Sequence, residues 1–251
     1  MKILVFDLFG DLGHFRKFYT TSSPLTFPFP PPPTIRGIIG AIMGFSKEEY
    51  LEKTKNIAVG LKLINPIKKI RIGINLINTK QSSGKFDPTL DPLRKENKNP
   101  RTQVKFEFVK DPHYRIYISG SEEFLEKLTD MVKNHKTYYT VSLGLSELLA
   151  DFSFIGVFDS HLIDVSDRAD SVIPSRIIRE IDIGKVQKIG KERIPAVMDN
   201  DRTVKIYEDV IFHVEGGAIY GEFSDLIKLG NGEVIYLWKQ SQDSTPIQES
   251  L

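Results

Sequence analysis

The sequence of 251 residues predicts an α+β protein with a ferredoxin-like N-terminal domain. Three observations support this class: the patterns run strand, helix, strands, helix, strand; a basic insertion interrupts the central strands; and only short strand patterns follow Ile173. We therefore predict a domain over 1–158 with an inserted thumb at about 66–105, and a small β-rich region over 159–251.

The first elements are a strand and an unusually thin helix. Lys2–Phe9 is predicted as a buried strand, and a proline-rich stretch leads into a helix over Thr34–Gly44 with Thr34 as its N-cap. Gly37 and Gly40 make this helix narrow, and each destabilises it by about 1 kcal/mol relative to alanine. Such a loss of stability suggests that another backbone or a ligand approaches the helix closely. Its apolar face, expected against the sheet, is Ile35, Ile38, Ile39 and Ile42.

The later elements follow from periodicity. Alternation predicts strands, and a 3.6-residue period with a capping serine predicts the helix that starts at Ser121. The predicted elements are a short helix over Lys47–Lys55, strands over Asn56–Asn65 and Ile70–Asn78, a hairpin of Val104–Val109 with Tyr114–Ser119, a helix over Ser121–Asn134, a strand within Tyr138–Phe158, and short strands over Ile177–Ile183, Thr203–Val214, Ala218–Phe223 and Val234–Trp238.

The composition is that of a globular protein, with 27% charged and 40% hydrophobic residues. The absence of cysteine excludes disulfides, thiolate metal sites and cysteine nucleophiles. The first apolar run is broken by Asp7, so we expect no signal peptide. Because no segment approaches the ~20 apolar residues of a membrane span, we expect a cytoplasmic protein without membrane contact.

The net charge of +1 conceals a strongly basic block. Between Pro66 and Lys105 there are ten lysines and arginines against three acids, while the rest of the chain has an acidic excess. Such a block is typical of a surface that binds a polyanion, although a solvated loop kept soluble by lysines has the same composition.

Three segments resemble a known family. GHFRKFYTTSSPLTFPFPPPPTIRGIIGAIMG, LGLSELLADF and ERIPAVM resemble the fifth family of CRISPR-associated proteins, in its type I-B-like branch, from Met1 to about Trp238. The resemblance implies a non-catalytic subunit that grips the 5′ handle of the guide RNA (crRNA) in a type I surveillance complex (Cascade) and caps its backbone filament. The implied partners are crRNA, the backbone subunits and the large subunit.

Candidate RNA-binding residues come from four segments. Aromatic residues interleaved with cations follow the first strand, and they suit either base stacking or a core with a charged rim. Arg36 is interpreted as a contact to a guide phosphate or, alternatively, as a surface arginine whose stem covers apolar surface. Gly144 is interpreted as a phosphate contact or, alternatively, as part of a tight turn that leads into a helix capped by Ser146. The candidates are His14, Arg16, Lys17, Tyr19, Arg36, Gly37, Gly40, Lys68, Lys69, Arg71, Lys80, Lys85, Arg94, Lys95, Lys98, Arg101, Gly144 and Ser146.

No catalytic residue, metal site or cofactor is predicted. Relatives that cleave precursor crRNA without metal have lysine directly before histidine, whereas His135-Lys136 has the reverse order and suits a helix end. Asp164, Asp167 and Asp170 suit a polar turn better than a cation site. The alternatives that stay open are a metal-independent endoribonuclease that processes precursor crRNA, and a structural domain whose basic loop contacts a partner's acids.

Overall fold

The computed structural model describes residues 1–20, 23–77, 101–185 and 188–240. The fold is mixed, with many antiparallel strands and few helices. The helices are α1 (Pro32–Met43), α2 (Tyr50–Lys53) and α3 (Glu122–Lys133), and a 3-10 turn covers Ser175–Ile177. The strands are β1 (Lys2–Gly10), β2 (Leu12–Gly13), β3 (Phe15–Arg16), β4 (Thr26–Phe27), β5 (Ala58–Leu63), β6 (Lys68–Ile77), β7 (Arg101–Lys110), β8 (His113–Ser119), β9 (Ala150–Ala169), β10 (Ile173–Pro174), β11 (Ile178–Ile181), β12 (Ile189–Met198), β13 (Val204–His213), β14 (Ile219–Leu229), β15 (Val234–Ile235) and β16 (Trp238–Lys239). Within these ranges no helix is long and apolar enough to cross a membrane.

The largest sheet has the strand order β11-β14-β9-β1-β8-β5-β16, and β15 also pairs with β14. In the chain, α1 lies between β1 and β5, and α3 lies between β8 and β9. Both helices pack in one core with Leu4, Phe6 and Leu8, which alternate along β1 and therefore point to the same face of the sheet. Three smaller sheets have the orders β10-β13-β12, β2-β7-β6 and β3-β4.

The helix predicted from Ser121 is confirmed as α3. The Ser121 hydroxyl accepts a hydrogen bond from the Phe124 N–H at 3.4 Å, and Glu122 and Glu123 occupy the positive first turn. The predicted apolar face is also confirmed: Leu125, Leu128 and Val132 are buried, and Phe124 and Met131 pack beside them.

The thin helix begins two residues earlier than predicted. Its N-cap is Pro31, and Thr34 lies inside the first turn, so the expectation that Thr34 is the N-cap was wrong. Pro32 and Pro33 extend the helix backwards because the first helical positions need no N–H donor and suit the fixed φ of proline. The helix ends at Gly44, whose left-handed φ of 81° no β-branched residue would tolerate.

Arg36 lies in the core, with 0% of its surface exposed, so its assignment to a guide phosphate was wrong. Its guanidinium donates hydrogen bonds to three backbone carbonyls, those of Thr54, of Ile57 at 3.0 Å and of Trp238 at 3.4 Å. Burial lowers the pKa of Arg36 to about 10, so the group stays protonated at neutral pH. The sequence pattern placed it in the first turn but carried no signal of which face it occupies.

Gly40 also faces the protein interior. A Cβ atom at this position would lie 2.8 Å from the Cβ of Tyr50, so the absent side chain lets α2 approach α1. The close approach expected from sequence therefore occurs, but with this chain's own helix rather than with RNA. At Gly37 a Cβ atom would lie 3.7 Å from the nearest Tyr50 atom, an ordinary contact.

The predicted hairpin between Val104–Val109 and Tyr114–Ser119 was wrong. β7 pairs with β6 over ten residues, from Lys68 opposite Lys110 to Ile77 opposite Arg101, whereas β8 pairs with β1 and β5. The cause is the match between β6 and β7, in which three alternating apolar residues of β6 each face an apolar residue of β7. The thumb predicted at about 66–105 contains β6 and the start of β7, and residues 78–100 lie outside the described residues.

The last predicted strand of the N-terminal domain is far longer than expected, because β9 continues to Ala169. Its first half pairs with β1 and its second half with β14, so one strand runs through the predicted boundary at 158. Asp164 and Asp167 lie within it, not in the expected polar turn. Strand β12 was not predicted because Pro195 interrupts its pattern; β12 is an edge strand of its sheet, where proline is tolerated.

The sheet face opposite the helices is covered by the C-terminal region. Ile3, Val5 and Tyr117 form a second apolar cluster there with Ile227, Leu229, Ile235 and Leu237. Beside this cluster runs a chain of ion pairs in which Arg115 holds Asp7 at 2.8 Å and Glu233 at 3.4 Å, and Glu233 also accepts a bond from Lys62 at 2.8 Å.

The pKa of Glu233 lies below its usual value of 4.5. Burial by itself raises the pKa of this carboxyl, but the hydrogen bonds from Lys62 and Asn231 and the nearby charge of Arg115 together outweigh burial. The ionised form is therefore the one that the folded protein stabilises.

Replacement of Arg36 by methionine should lower the free energy of unfolding by about 3 kcal/mol, because three buried carbonyl oxygens lose their donor. Urea denaturation followed by circular dichroism measures the change. Arg16→Met is the control, since Arg16 is exposed and should change stability by about 0.5 kcal/mol at most. Equal losses in the two variants would contradict the core role of Arg36.

The two glycines of α1 should respond in opposite directions to alanine. Gly37→Ala should stabilise the protein by about 0.5–1 kcal/mol, because alanine favours the helix and its methyl group fits. Gly40→Ala should destabilise it by about 1–3 kcal/mol, because the methyl group overlaps Tyr50. Thermal and urea unfolding test this pair, and a stabilised Gly40→Ala variant would be inconsistent with the packing described.

The contribution of Glu233 to stability should depend on pH. A carboxyl with a lowered folded pKa contributes fully above its unfolded pKa of 4.5, and the contribution is lost as pH falls through the folded pKa. Glu233→Gln should therefore cost about 1–3 kcal/mol near pH 7, and the gap to the unaltered protein should close below pH 4.5. Glu126→Gln, at an exposed position of α3, is the control with no such gap. A constant gap across this range would refute the assignment.

Candidate nucleic-acid interface

The hairpin of β6 and β7 has two chemically different faces. Directly opposite residues of an antiparallel pair share a face, so the register separates the side chains into two rows. One row is polar and mostly basic, and the other is apolar. The polar row contains Lys69, Arg71, Asn75, Arg101, Gln103, Lys105 and Glu107, with Ile77 and Val109 at its ends. The apolar row contains Ile70, Ile72, Ile74, Leu76, Val104, Phe106 and Phe108, with Thr102 at one end and Lys68 and Lys110 at the base.

The charge of the hairpin is strongly positive, since its two strands contain six lysines and arginines and one acid, Glu107. Lys69 is held at the base, 3.0 Å from Glu107 and 2.8 Å from the Thr26 carbonyl oxygen. Arg71 lies 3.5 Å from Glu107, yet 68% of its side chain is exposed. Lys68 and Lys105 are exposed and form no ion pair with any described residue. Several cations therefore remain available for an anionic partner.

His14 joins the hairpin to the body of the protein. It is buried, its ring packs against Phe106 and Phe108, and its Nδ1–H donates to the Glu107 carbonyl at 2.7 Å. Its backbone N–H donates to the Leu143 carbonyl at 2.9 Å. The expected direct RNA contact of His14 is therefore wrong, because burial removes the ring from solvent.

Lys17 is also mostly buried, so its predicted phosphate contact was wrong. Its ammonium group forms a short ion pair with Glu192 of β12 and lies over the rings of Tyr19 and Phe27. Burial by itself lowers the pKa of Lys17, but the hydrogen bonds and electrostatic attraction of Glu192 and Tyr19 together outweigh burial, and the pKa is raised. Arg16, in contrast, is exposed, and its guanidinium donates to the Thr20 carbonyl at 3.3 Å.

A groove of about 750 Å³ brings together two of the predicted glycines. Gly37 of α1 and Gly144 line the same groove, with Tyr139 and Ser142 beside Gly144. The other lining residues are Pro33, Thr34, Ile38, Ala41, Phe45, Ser46, Lys47, Glu48, Tyr50, Thr140, Met198 and Arg202. We call it the glycine groove. It adjoins the hairpin junction, because Gly144 touches the backbone of His14.

Gly144 is required by the fold itself. Its φ is 101°, and a Cβ atom would lie only 1.9 Å from the His14 carbonyl oxygen. The tight-turn interpretation is thus correct, but no helix follows among the described residues around Ser146. The hydroxyl of Ser146 donates to the Glu147 carboxylate at 3.2 Å instead of capping a helix.

The remaining candidates divide by position. Arg101 opens β7 on the polar row of the hairpin. Five predicted cations lie outside the described residues: Lys80, Lys85, Arg94, Lys95 and Lys98.

His135 and the aspartates have structural partners. His135 follows α3 with a left-handed φ of 53°, its N–H donates to the Val132 carbonyl, and its ring lies 3.0 Å from Asp151, as suits a helix end. Asp170 is buried and paired with Arg168. Across the described ranges, no group of three or more histidines or acids could hold a metal ion.

Sequence reasoning missed one surface feature. Phe18, one of the aromatic residues that suited either base stacking or the core, is exposed and lies beside Tyr207 of β13, with ring centroids 4.6 Å apart. The alternation of aromatic and basic residues after the first strand indicated Phe18 and its neighbours as a candidate contact. Nothing local marked Tyr207, since it is 189 positions away in the chain.

Comparison with known proteins places the chain in a family. Residues 3–187 match the family described as CRISPR-associated protein (Cas_Cas5). No curated protein matches the chain. Among solved structures, a chain of a CRISPR RNA-guided surveillance complex is similar with a TM-score of 0.57 and 11% identity, covering 88% of this chain and 91% of that one.

A crystal structure of a CRISPR protein from Archaeoglobus fulgidus is similar with a TM-score of 0.56 and 15% identity, covering 96% of this chain and 100% of that one. At these identities the two likenesses establish a shared fold. Because the family match extends over most of its length, the chain belongs to the Cas5 family of CRISPR-associated proteins.

Proposed function

We propose that the chain is a non-catalytic RNA-binding subunit of a type I CRISPR surveillance complex, where it grips the 5′ handle of crRNA and caps the backbone filament. Membership of the Cas5 family supports this, as does the fold shared with a chain of an RNA-guided surveillance complex. The observation that carries the proposal is the basic row of the β6–β7 hairpin, which presents exposed cations on a two-stranded ribbon.

We further propose that β9-β1-β8-β5, with α1 and α3, form a ferredoxin-like domain and that the hairpin is its inserted thumb. The strand order and the two helices on one face support this assignment. In many domains of this kind RNA lies on the open sheet face. Here the C-terminal region covers that face, so we propose the hairpin and the glycine groove as surfaces for RNA.

The division of labour within the hairpin follows from its two rows. Ten residue pairs at about 3.4 Å per residue make a ribbon about 30 Å long, enough to cross an RNA strand. Exposed cations of the polar row, such as Arg71 and Lys105, would meet phosphates, which supply affinity without sequence specificity. The part of the apolar row away from the base, where Ile72 and Leu76 are exposed, would contact a neighbouring protein subunit. The backbone subunits and the large subunit are the partners that we propose.

Removal of two exposed cations of the polar row should weaken RNA binding in a salt-dependent manner. The double variant Arg71→Ala/Lys105→Ala should lower the affinity for a guide RNA with its repeat-derived 5′ end. The slope of log affinity against log salt concentration should become shallower by about 0.7–1 for each phosphate that the protein no longer neutralises. Fluorescence anisotropy over a salt series measures both quantities.

Lys127→Ala is the matched control, because Lys127 is an exposed cation on α3, away from the hairpin. It should leave affinity and slope unchanged. If the double variant has the slope of the unaltered protein, the hairpin does not bind RNA phosphates and the proposal loses its main support.

A further inference from the structure

An aromatic cluster with two exposed rings lies just after the end of β3. Phe18 and Tyr19 are each 54% exposed, and the Phe18 ring lies 5.1 Å from Tyr19 and 4.6 Å from Tyr207. The first two rings follow β3, and the third belongs to β13. Large aromatic side chains left this open in a folded protein usually mark a binding surface.

Buried contacts of Lys17 hold the aromatic cluster in place. Lys17 lies over the Tyr19 ring at 5.6 Å and forms its ion pair with Glu192, which ties the β3 segment to β12. The Lys17 N–H also donates to the Leu25 carbonyl at 2.9 Å. Because buried contacts hold the segment that carries the rings, little conformational entropy would be lost in ordering the rings when a ligand binds.

The charge around the rings is positive. Arg16 is exposed two residues before Phe18. Arg193 lies on the same sheet face as Tyr207, since Arg193 is opposite Asp209 and Tyr207 is opposite Pro195, and Arg193 forms no ion pair with any described residue. Aromatic faces flanked by exposed arginines match the needs of an unpaired base with its phosphates.

We infer that Phe18, Tyr19 and Tyr207 form a stacking site for an unpaired base of single-stranded RNA, with Arg16 and Arg193 beside its phosphates. The inference rests on the proposed RNA-binding function and adds a site separate from the hairpin. A protein partner would also cover aromatic rings, but the exposed arginines of both segments that supply the rings favour the polyanion.

Photo-crosslinking and affinity measurement together test the site. The probe is a short, unstructured oligouridine RNA that contains one 5-iodouridine, bound to the full chain. Irradiation should crosslink the RNA to a peptide that contains Phe18, Tyr19 or Tyr207. The double variant Phe18→Leu/Tyr207→Leu keeps apolar bulk but removes the ring faces. It should no longer form the crosslink and should bind about 5- to 100-fold more weakly, as expected when one base no longer stacks.

Weaker stacking differs from weaker phosphate binding in its salt dependence. The leucine variant should keep the salt slope of the unaltered chain, and Tyr207→Phe should keep both the affinity and the crosslink. If the unaltered chain binds RNA but crosslinks elsewhere, and the leucine variant binds equally well, the stacking site is refuted and the proposed function stands. If the unaltered chain binds no RNA at all, both are refuted.

Discussion

A single buried guanidinium holds together the parts of the protein that shape its surfaces. Arg36 joins α1 to the turn between α2 and β5 through Thr54 and Ile57, and to β16 through Trp238. Removing this cation from water costs several kcal/mol, and it is tolerated because the guanidinium donates hydrogen bonds to three backbone carbonyls. The close approach at Gly40 depends on the same arrangement, since it requires α2 to lie directly against α1. The position of one wall of the glycine groove is therefore set from inside the core.

The hairpin depends on a second set of internal contacts. Glu107 is the only acid in its two strands, and it faces inward at the base, where it receives bonds from Lys69 and from the Thr26 N–H. Burial by itself raises the pKa of Glu107, but these bonds and the charge of Arg71 lower it overall, so the group is ionised at neutral pH. The acid anchors the base of the hairpin, while the cations farther along it stay exposed. In β7, the residue that attaches the hairpin to the protein is therefore different from the cations that we propose bind RNA.

Local signals in the sequence were sufficient for some elements and insufficient for others. The capped helix from Ser121 was predicted because its serine, its acids and its period all lie within fourteen residues. The pairing of β6 with β7 was missed, since β8 also offered an alternating pattern nearer in sequence. The burial of Lys17 depends on Glu192, which is 175 residues away, and no local pattern reports such a partner. A basic residue next to aromatics has the same sequence signature whether it meets a phosphate or an internal carboxylate.

The covering of the sheet by the C-terminal region has a consequence for synthesis of the protein. Ile3, Val5 and Tyr117 leave the ribosome long before Ile235 and Leu237, which bury them. About 80 residues separate the middle of β9 from β16, so translation at about 5–20 residues per second leaves this apolar face open for roughly 4–16 s. During that interval the nascent chain presents a hydrophobic surface to chaperones and to other nascent chains. The yield of folded protein should thus be sensitive to the pace at which its last third is translated.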